Sequence, residues 1–112
     1  MNSGLSVYKP LLVDDIKTIQ DRLKRKVASR AKEFYIYGSV ARGDFSAGSD
    51  IDMIIVKETH EKFVKRAVEF EDLFEIYPRL DVLVYTPDEF QRLKNSDSGF
   101  WKKFRKESVR LI

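Results

Sequence analysis

Three groups of residues in this chain could do chemistry together. Gly38-Ser39 follows an apolar run, Phe34 to Tyr37. Asp50-Ile51-Asp52 leads into a second, Met53 to Val56, and Asp81 lies in a third, Leu80 to Tyr85. A glycine at a strand end lets the backbone approach a ligand closely, and the N–H groups at a helix start suit phosphate. Clustered carboxylates suit Mg²⁺ or Mn²⁺, not zinc. Phosphate donors and a carboxylate cluster in one place would serve a nucleoside triphosphate with its metal. Two metal ions ~3.5–4 Å apart could steady both the attacking and the leaving oxygen of an in-line displacement. Arg42, one turn beyond Ser39, could pair with a phosphate; an ion pair with Asp44 or another acid is an equal alternative. Ser49 could cap or orient the aspartate pair, or contact phosphate.

The sites need particular elements to hold them. Apolar positions Leu12, Ile16, Ile19, Leu23 and Val27 recur at steps of four and three, one face of a helix. Phe34 to Tyr37 is aromatic and β-branched on both faces, a buried central strand. Ser39 to Arg42 opens a short helix, and Gly43 and Gly48 break the remainder into a loop. Ile51 to Val56 is the second strand. Its alternation puts Asp50, Asp52, Ile54 and Val56 on one face and Ile51, Met53 and Ile55 on the other. A helix from Thr59, an N-cap candidate, carries Phe63, Ala67, Phe70 and Phe74. Leu80 to Tyr85 is the third strand. Thr86-Pro87-Asp88-Glu89 is a capping box with proline at the first helical position, starting a helix that ends near Leu93. Phe100, Trp101, Phe104 and Val109 mark an apolar stripe on a last, basic helix within residues 96–112. Tyr35 and Tyr37 read as core, and His60 as a surface residue.

For Gly38 and Asp50 to line one site, strands one and two must run antiparallel. For Asp81 to join them, strands two and three must be parallel, with the intervening helix as the crossover such strands require. The expected architecture is a small mixed β-sheet with helices packed on it, an α/β (α+β) fold.

Gly38-Ser39, ten residues, then Asp50-Ile51-Asp52, with Asp81 on a later strand, resembles the signature of the polymerase-beta-like nucleotidyltransferases. Within them the minimal nucleotidyltransferase (MNT) group is nearest. The resemblance spans about residues 30 to 90. It implies that Asp50 and Asp52 hold the metal ions, and that Asp81 shares the second and helps deprotonate an acceptor hydroxyl. Gly38 and Ser39 would meet the β- or γ-phosphate. It also implies Mg²⁺-dependent transfer of AMP from ATP to a hydroxyl, and a HEPN-type partner protein in a toxin–antitoxin pair. A binding module of this fold that neutralises a partner without turnover is the alternative.

Length and composition set the outer bounds. The 112 residues fit one domain, with residues 1–9 as a loose end. Eight Phe and five Tyr supply bulk for a core. With no cysteine there is no disulfide and no Cys-based zinc site. No apolar run approaches a membrane span and no signal peptide is evident, so a cytoplasmic location is expected. A net charge of +3 is mild. Lys24, Arg25, Lys26 and Arg30, with the basic residues after Trp101, read first as solvated helix faces; nucleic-acid binding is a weaker reading. Self-association is left open.

Overall fold

The structure, a computed structural model, describes residues 13–44 and 48–112. The expected loose segment 1–9, Leu12 and residues 45–47 of the loop lie outside the described residues. Helix α1 (Val13–Val27) leads into strand β1 (Glu33–Tyr37), the short helix α2 (Ser39–Arg42) and strand β2 (Ile51–Val56). Helix α3 (Phe63–Arg66) and a 3₁₀ segment (Ala67–Glu75) cross over to strand β3 (Leu80–Tyr85). Helices α4 (Pro87–Leu93) and α5 (Gly99–Glu107) and strand β4 (Val109–Arg110) complete the chain. The sheet order is β3-β2-β1-β4, with β1 antiparallel to both neighbours and β2 parallel to β3. This is the mixed sheet that a shared aspartate site demanded.

Strand alternation divides the core into two layers. Leu23 and Val27 of α1 pack with Phe34, Ile36, Ile51, Met53 and Ile55 on one face, joined by Phe70 and Leu73 of the crossover. On the other face Ile54 and Val56 meet Phe90 of α4 and Trp101 and Phe104 of α5, with Tyr35, Tyr37, Leu83 and Tyr85 packed around them. Burial of so much aliphatic and aromatic surface supplies the main driving force for the fold. The capping box forms as its sequence requires: Glu89 N–H donates to Thr86 Oγ1 and Thr86 N–H to Glu89 Oε1.

Two elements differ from the sequence expectation. The crossover is not a regular helix from Thr59. Thr59 Oγ1 accepts from Glu61 N–H in a turn, and α3 starts at Phe63 without a side-chain cap. Beyond it the backbone tightens to 3₁₀, with a break at Phe70 (φ −106°, ψ 18°). The crossover residues that reach the core, Phe70, Leu73 and Ile76, recur every third position. Three residues per turn is the 3₁₀ period, and it leaves Phe63 and Phe74 exposed. The last helix is also shorter than expected. It ends at Glu107, Ser108 turns extended (φ −78°, ψ 152°), and Val109–Arg110 pairs with β1. Two forces favour this route. The edge of β1 gains partners for its backbone groups, with Leu111 N–H donating to Phe34 O at 2.7 Å. Leu111 and Ile112 also gain contact with the core, while Val109 stays exposed rather than joining the aromatic stripe.

Candidate active site

The site forms where β1 ends and β2 and β3 begin. Tyr37 is the register partner of Asp52 on one side, and Asp81 is its partner on the other. Three neighbouring strands therefore present Tyr37, Asp52 and Asp81 side by side on the same face. Strands lie ~4.8 Å apart, so Asp52 and Asp81 are adjacent like charges. Burial raises the pKa of Asp52, and Asp81 and Asp50 raise it further. The Tyr37 hydroxyl is also held protonated well above its ordinary range, by burial first and then by Asp52 and Asp81.

Gly38 adopts φ 82°, ψ −146°, backbone that side chains other than glycine's strongly resist. A Cβ there would lie 2.5 Å from Asp52 Oδ2. The position thus demands glycine twice, for its backbone and for the carboxylate beside it. Gly38 turns the chain from β1 into α2, whose first N–H groups have no carbonyl one turn back. At the other end Gly43 (φ 85°) closes α2 with N–H bonds to the carbonyls of Ser39 and Val40.

A cleft of about 500 Å³ covers this corner, within the usual ~300–1,000 Å³ of small-ligand sites. Gly38, Ser39, Arg42, Ser49, Asp50 and Asp52 line it, together with Tyr37 and one face of α5. Six of the seven site residues expected from sequence are thereby gathered. Asp81 is placed by strand register beside Asp52 rather than in the cleft lining. The Ser49 carbonyl accepts from the Tyr77 hydroxyl at 2.7 Å, which fixes the backbone just before the aspartates. Arg42 is engaged by carboxylates, Asp44 at 3.3 Å and Glu107 at 2.9 Å, so its ion-pair alternative is realised in this structure.

Sequence reading missed two features. Arg79 Nε donates to Asp50 Oδ1 at 3.1 Å, between side chains that are each more than half exposed. Phe100, Lys103 and Glu107 of α5 line the cleft; their spacing of three and four marks one helix face, but nothing local says which end of the sheet that face crosses. Among the described residues no three His, Cys, Asp or Glu side chains converge closely enough to hold a metal ion. The all-oxygen donor set fits Mg²⁺ in kind, and the like charges of Asp81 and Asp50 beside Asp52, only partly offset by Arg42, favour a cation. Asp50 can join only by leaving Arg79.

A family model of the nucleotidyltransferase domain matches residues 16–111. The chain belongs to the nucleotidyltransferase-domain family. The fold also resembles a crystal structure from Sulfolobus solfataricus described as a "putative nucleotidyltransferase". Identity to it is 26%, with a TM-score of 0.52 and coverage of 86% of this chain and 85% of that one. A Methanocaldococcus jannaschii protein named "Putative protein adenylyltransferase" is 41% identical over 49 residues, 44% of this chain. The match takes in 49% of that relative, so the chain spans about half the length of the curated protein it resembles. Membership accords with the polymerase-beta-like, MNT-type pattern of Gly38-Ser39 and Asp50-Ile51-Asp52. No helix of the described residues is long and apolar enough to cross a membrane.

Proposed function

We propose that this nucleotidyltransferase transfers AMP from ATP to a hydroxyl of a partner protein, with Mg²⁺ or Mn²⁺ at Asp50, Asp52 and Asp81. The observation that carries the reading is the register of Tyr37, Asp52 and Asp81 beside the Gly38–Ser39 turn. Ser39 offers its N–H and hydroxyl to the β- or γ-phosphate, and Gly38 keeps the wall low enough for that approach. The ion, when bound, supplies positive charge to the phosphate oxygens. Asp52 and Asp81 hold the reacting groups in line, and Asp81 takes the acceptor's proton, a role that its greater exposure supports. The acceptor oxygen bonds to the α-phosphorus, the bond from that phosphorus to the β-bridging oxygen breaks, and pyrophosphate leaves. Positioning and charge neutralisation account for most of the catalysis in such transfers, so a small residue set suffices.

The named activity of the M. jannaschii relative supports a protein acceptor. By the MNT resemblance that acceptor is a tyrosine hydroxyl on a HEPN-type toxin, where AMP would add charge and bulk. The alternative, docking without turnover, is favoured by one observation: Asp50 is held by Arg79 and the carboxylates do not converge. Incubating the chain with a HEPN-type partner, ATP and Mg²⁺, then weighing the partner by mass spectrometry, separates the two. A gain in AMP units that Asp52→Asn abolishes is the expected result. A tight complex with no mass gain would leave docking alone standing.

A further inference from the structure

We infer that α5 forms the opposite wall of the nucleotide site, with Lys103 meeting the triphosphate and Phe100 carrying the base. This rests on the reading of the cleft as a nucleotide site and extends it to residues outside the Gly-Ser and Asp motifs.

The placement of Lys103 comes from how α5 lies along the cleft. Near its start, Phe100 stands against Tyr37, ring centroids 5.7 Å apart. At its end, Glu107 Oε1 accepts from Arg42 Nη1 at 2.9 Å. Tyr37 and Arg42 bracket the Gly38–Ser39 turn in the chain. Lys103, one turn after Phe100 and one before Glu107, therefore comes opposite that turn.

Charge then decides what Lys103 does. The cleft is lined by three carboxylates, Asp50, Asp52 and Glu107, and by two cations, Arg42 and Lys103. Arg42 is occupied by Asp44 and Glu107. Lys103 makes no ion pair among the described residues. It is the cation of the cleft wall that a polyphosphate can engage without first breaking a salt bridge. A mobile ammonium serves well as a point charge toward phosphate.

Phe100 supplies the other half. It is 42% exposed while the next residue, Trp101, is only 5% exposed and belongs to the core. Its ring stands nearly perpendicular to those of Tyr37 and Trp101, at 81° and 82°. An exposed phenyl fixed by two aromatic neighbours at the rim of a cleft is a ready surface for stacking a base. The order is also consistent. With β- and γ-phosphates at Ser39 and Lys103, and the α-phosphate at Asp52, the sugar and base continue past Tyr37 toward Phe100. Stacking on a phenyl ring tolerates every base, so this wall supplies affinity with little base selection.

Calorimetry with α,β-methylene-ATP in Mg²⁺, and separately with inorganic tripolyphosphate, tests both roles. Lys103→Ala should weaken both probes about ten-fold, and Lys103→Arg should restore most of the loss. Phe100→Ala should weaken the nucleotide analogue about ten-fold and leave tripolyphosphate unchanged, with Phe100→Trp restoring the analogue. Lys103 is exposed, so its variants should melt as the wild type does. Phe100→Ala also loses ring contacts with Tyr37 and Trp101, so its melt should fall by a few degrees while tripolyphosphate binding shows that the folded site is intact. If the wild type binds the analogue and neither alanine variant differs from it, α5 is not a wall of the site, while the nucleotide reading survives. Equal losses of both probes in Phe100→Ala would overturn the base role. A wild type that binds neither probe would overturn the nucleotide reading and this inference together.

Discussion

Gly38→Ala is the substitution whose cost the structure defines most closely. Two terms act. An L-residue at φ 82°, ψ −146° carries backbone strain of about 1–3 kcal/mol. The new methyl would also sit 2.5 Å from Asp52 Oδ2, a contact that cannot persist. Asp52 must rotate away, at about 0.5–1.5 kcal/mol if it leaves its rotamer. Against these, alanine stiffens the unfolded chain and returns roughly 0.4–1 kcal/mol. The net loss then spans about 0.5–4 kcal/mol and centres near ~2 kcal/mol, which in a domain near this size lowers Tm by roughly 10 °C. Thermal and urea melts measure it. A double-mutant cycle with Asp52→Ala separates the terms, because removing the carboxylate relieves the clash and leaves the backbone strain. The two substitutions should be coupled by about 0.5–1.5 kcal/mol. A Gly38→Ala protein that melts like the wild type would refute the backbone assignment. Full additivity with Asp52→Ala would refute the placement of the carboxylate.

Electrostatics supplies two further perturbations. Asp52 has a raised pKa, so its ionisation weakens the fold as pH rises above the ordinary carboxylate range. Without metal, Asp52→Asn should therefore gain roughly 1 kcal/mol at neutral pH, as expected for removing one of two adjacent like charges, and urea midpoints should show the gain fading in acid. An equal gain at every pH would mean that charge repulsion is not its source. Glu89 behaves in the opposite sense: the Arg66 guanidinium, with bonds at 2.6 and 3.1 Å, and the Thr86 N–H hold its carboxyl down at about 2 against an ordinary 4.5. Its contribution is present above the ordinary value and is lost as pH falls toward 2. Glu89→Gln should cost about 1–2 kcal/mol at pH 7 and almost nothing near pH 2, checked by melts at both.

The motif and the strands around it were legible because strand geometry is local. A two-residue period puts Asp50 and Asp52 on one face, and the demand that Asp81 join them sets the strand directions that are observed. The crossover misled because Phe63, Ala67, Phe70 and Phe74 match a helical period while Phe70, Leu73 and Ile76, which pack on the core, match a period of three. Which set faces the sheet is decided by packing. The Val109–Arg110 strand is too short to carry a pattern, and its partner lies far back in the chain. The Arg79–Asp50 pair and the α5 wall are tertiary in origin. Their residues are ordinary surface types until the sheet brings them to the motif.

Arg42 and Glu107, which close the cleft across its width, are 65 positions apart in sequence. A ribosome adding ~5–20 residues per second would take about 3–13 s to cover that distance. For most of that interval the Gly-Ser turn and the Asp pair have already been synthesised, but the helix that roofs them has not. Tyr35, Tyr37, Ile54 and Val56 then lack the layer of Trp101 and Phe104 that later covers them. A ligand held between the two sides binds only the closed arrangement, so it can stabilise the finished protein and offers nothing to the growing chain. Protection of a nascent chain by nucleotide should therefore begin only after α5 has left the exit tunnel.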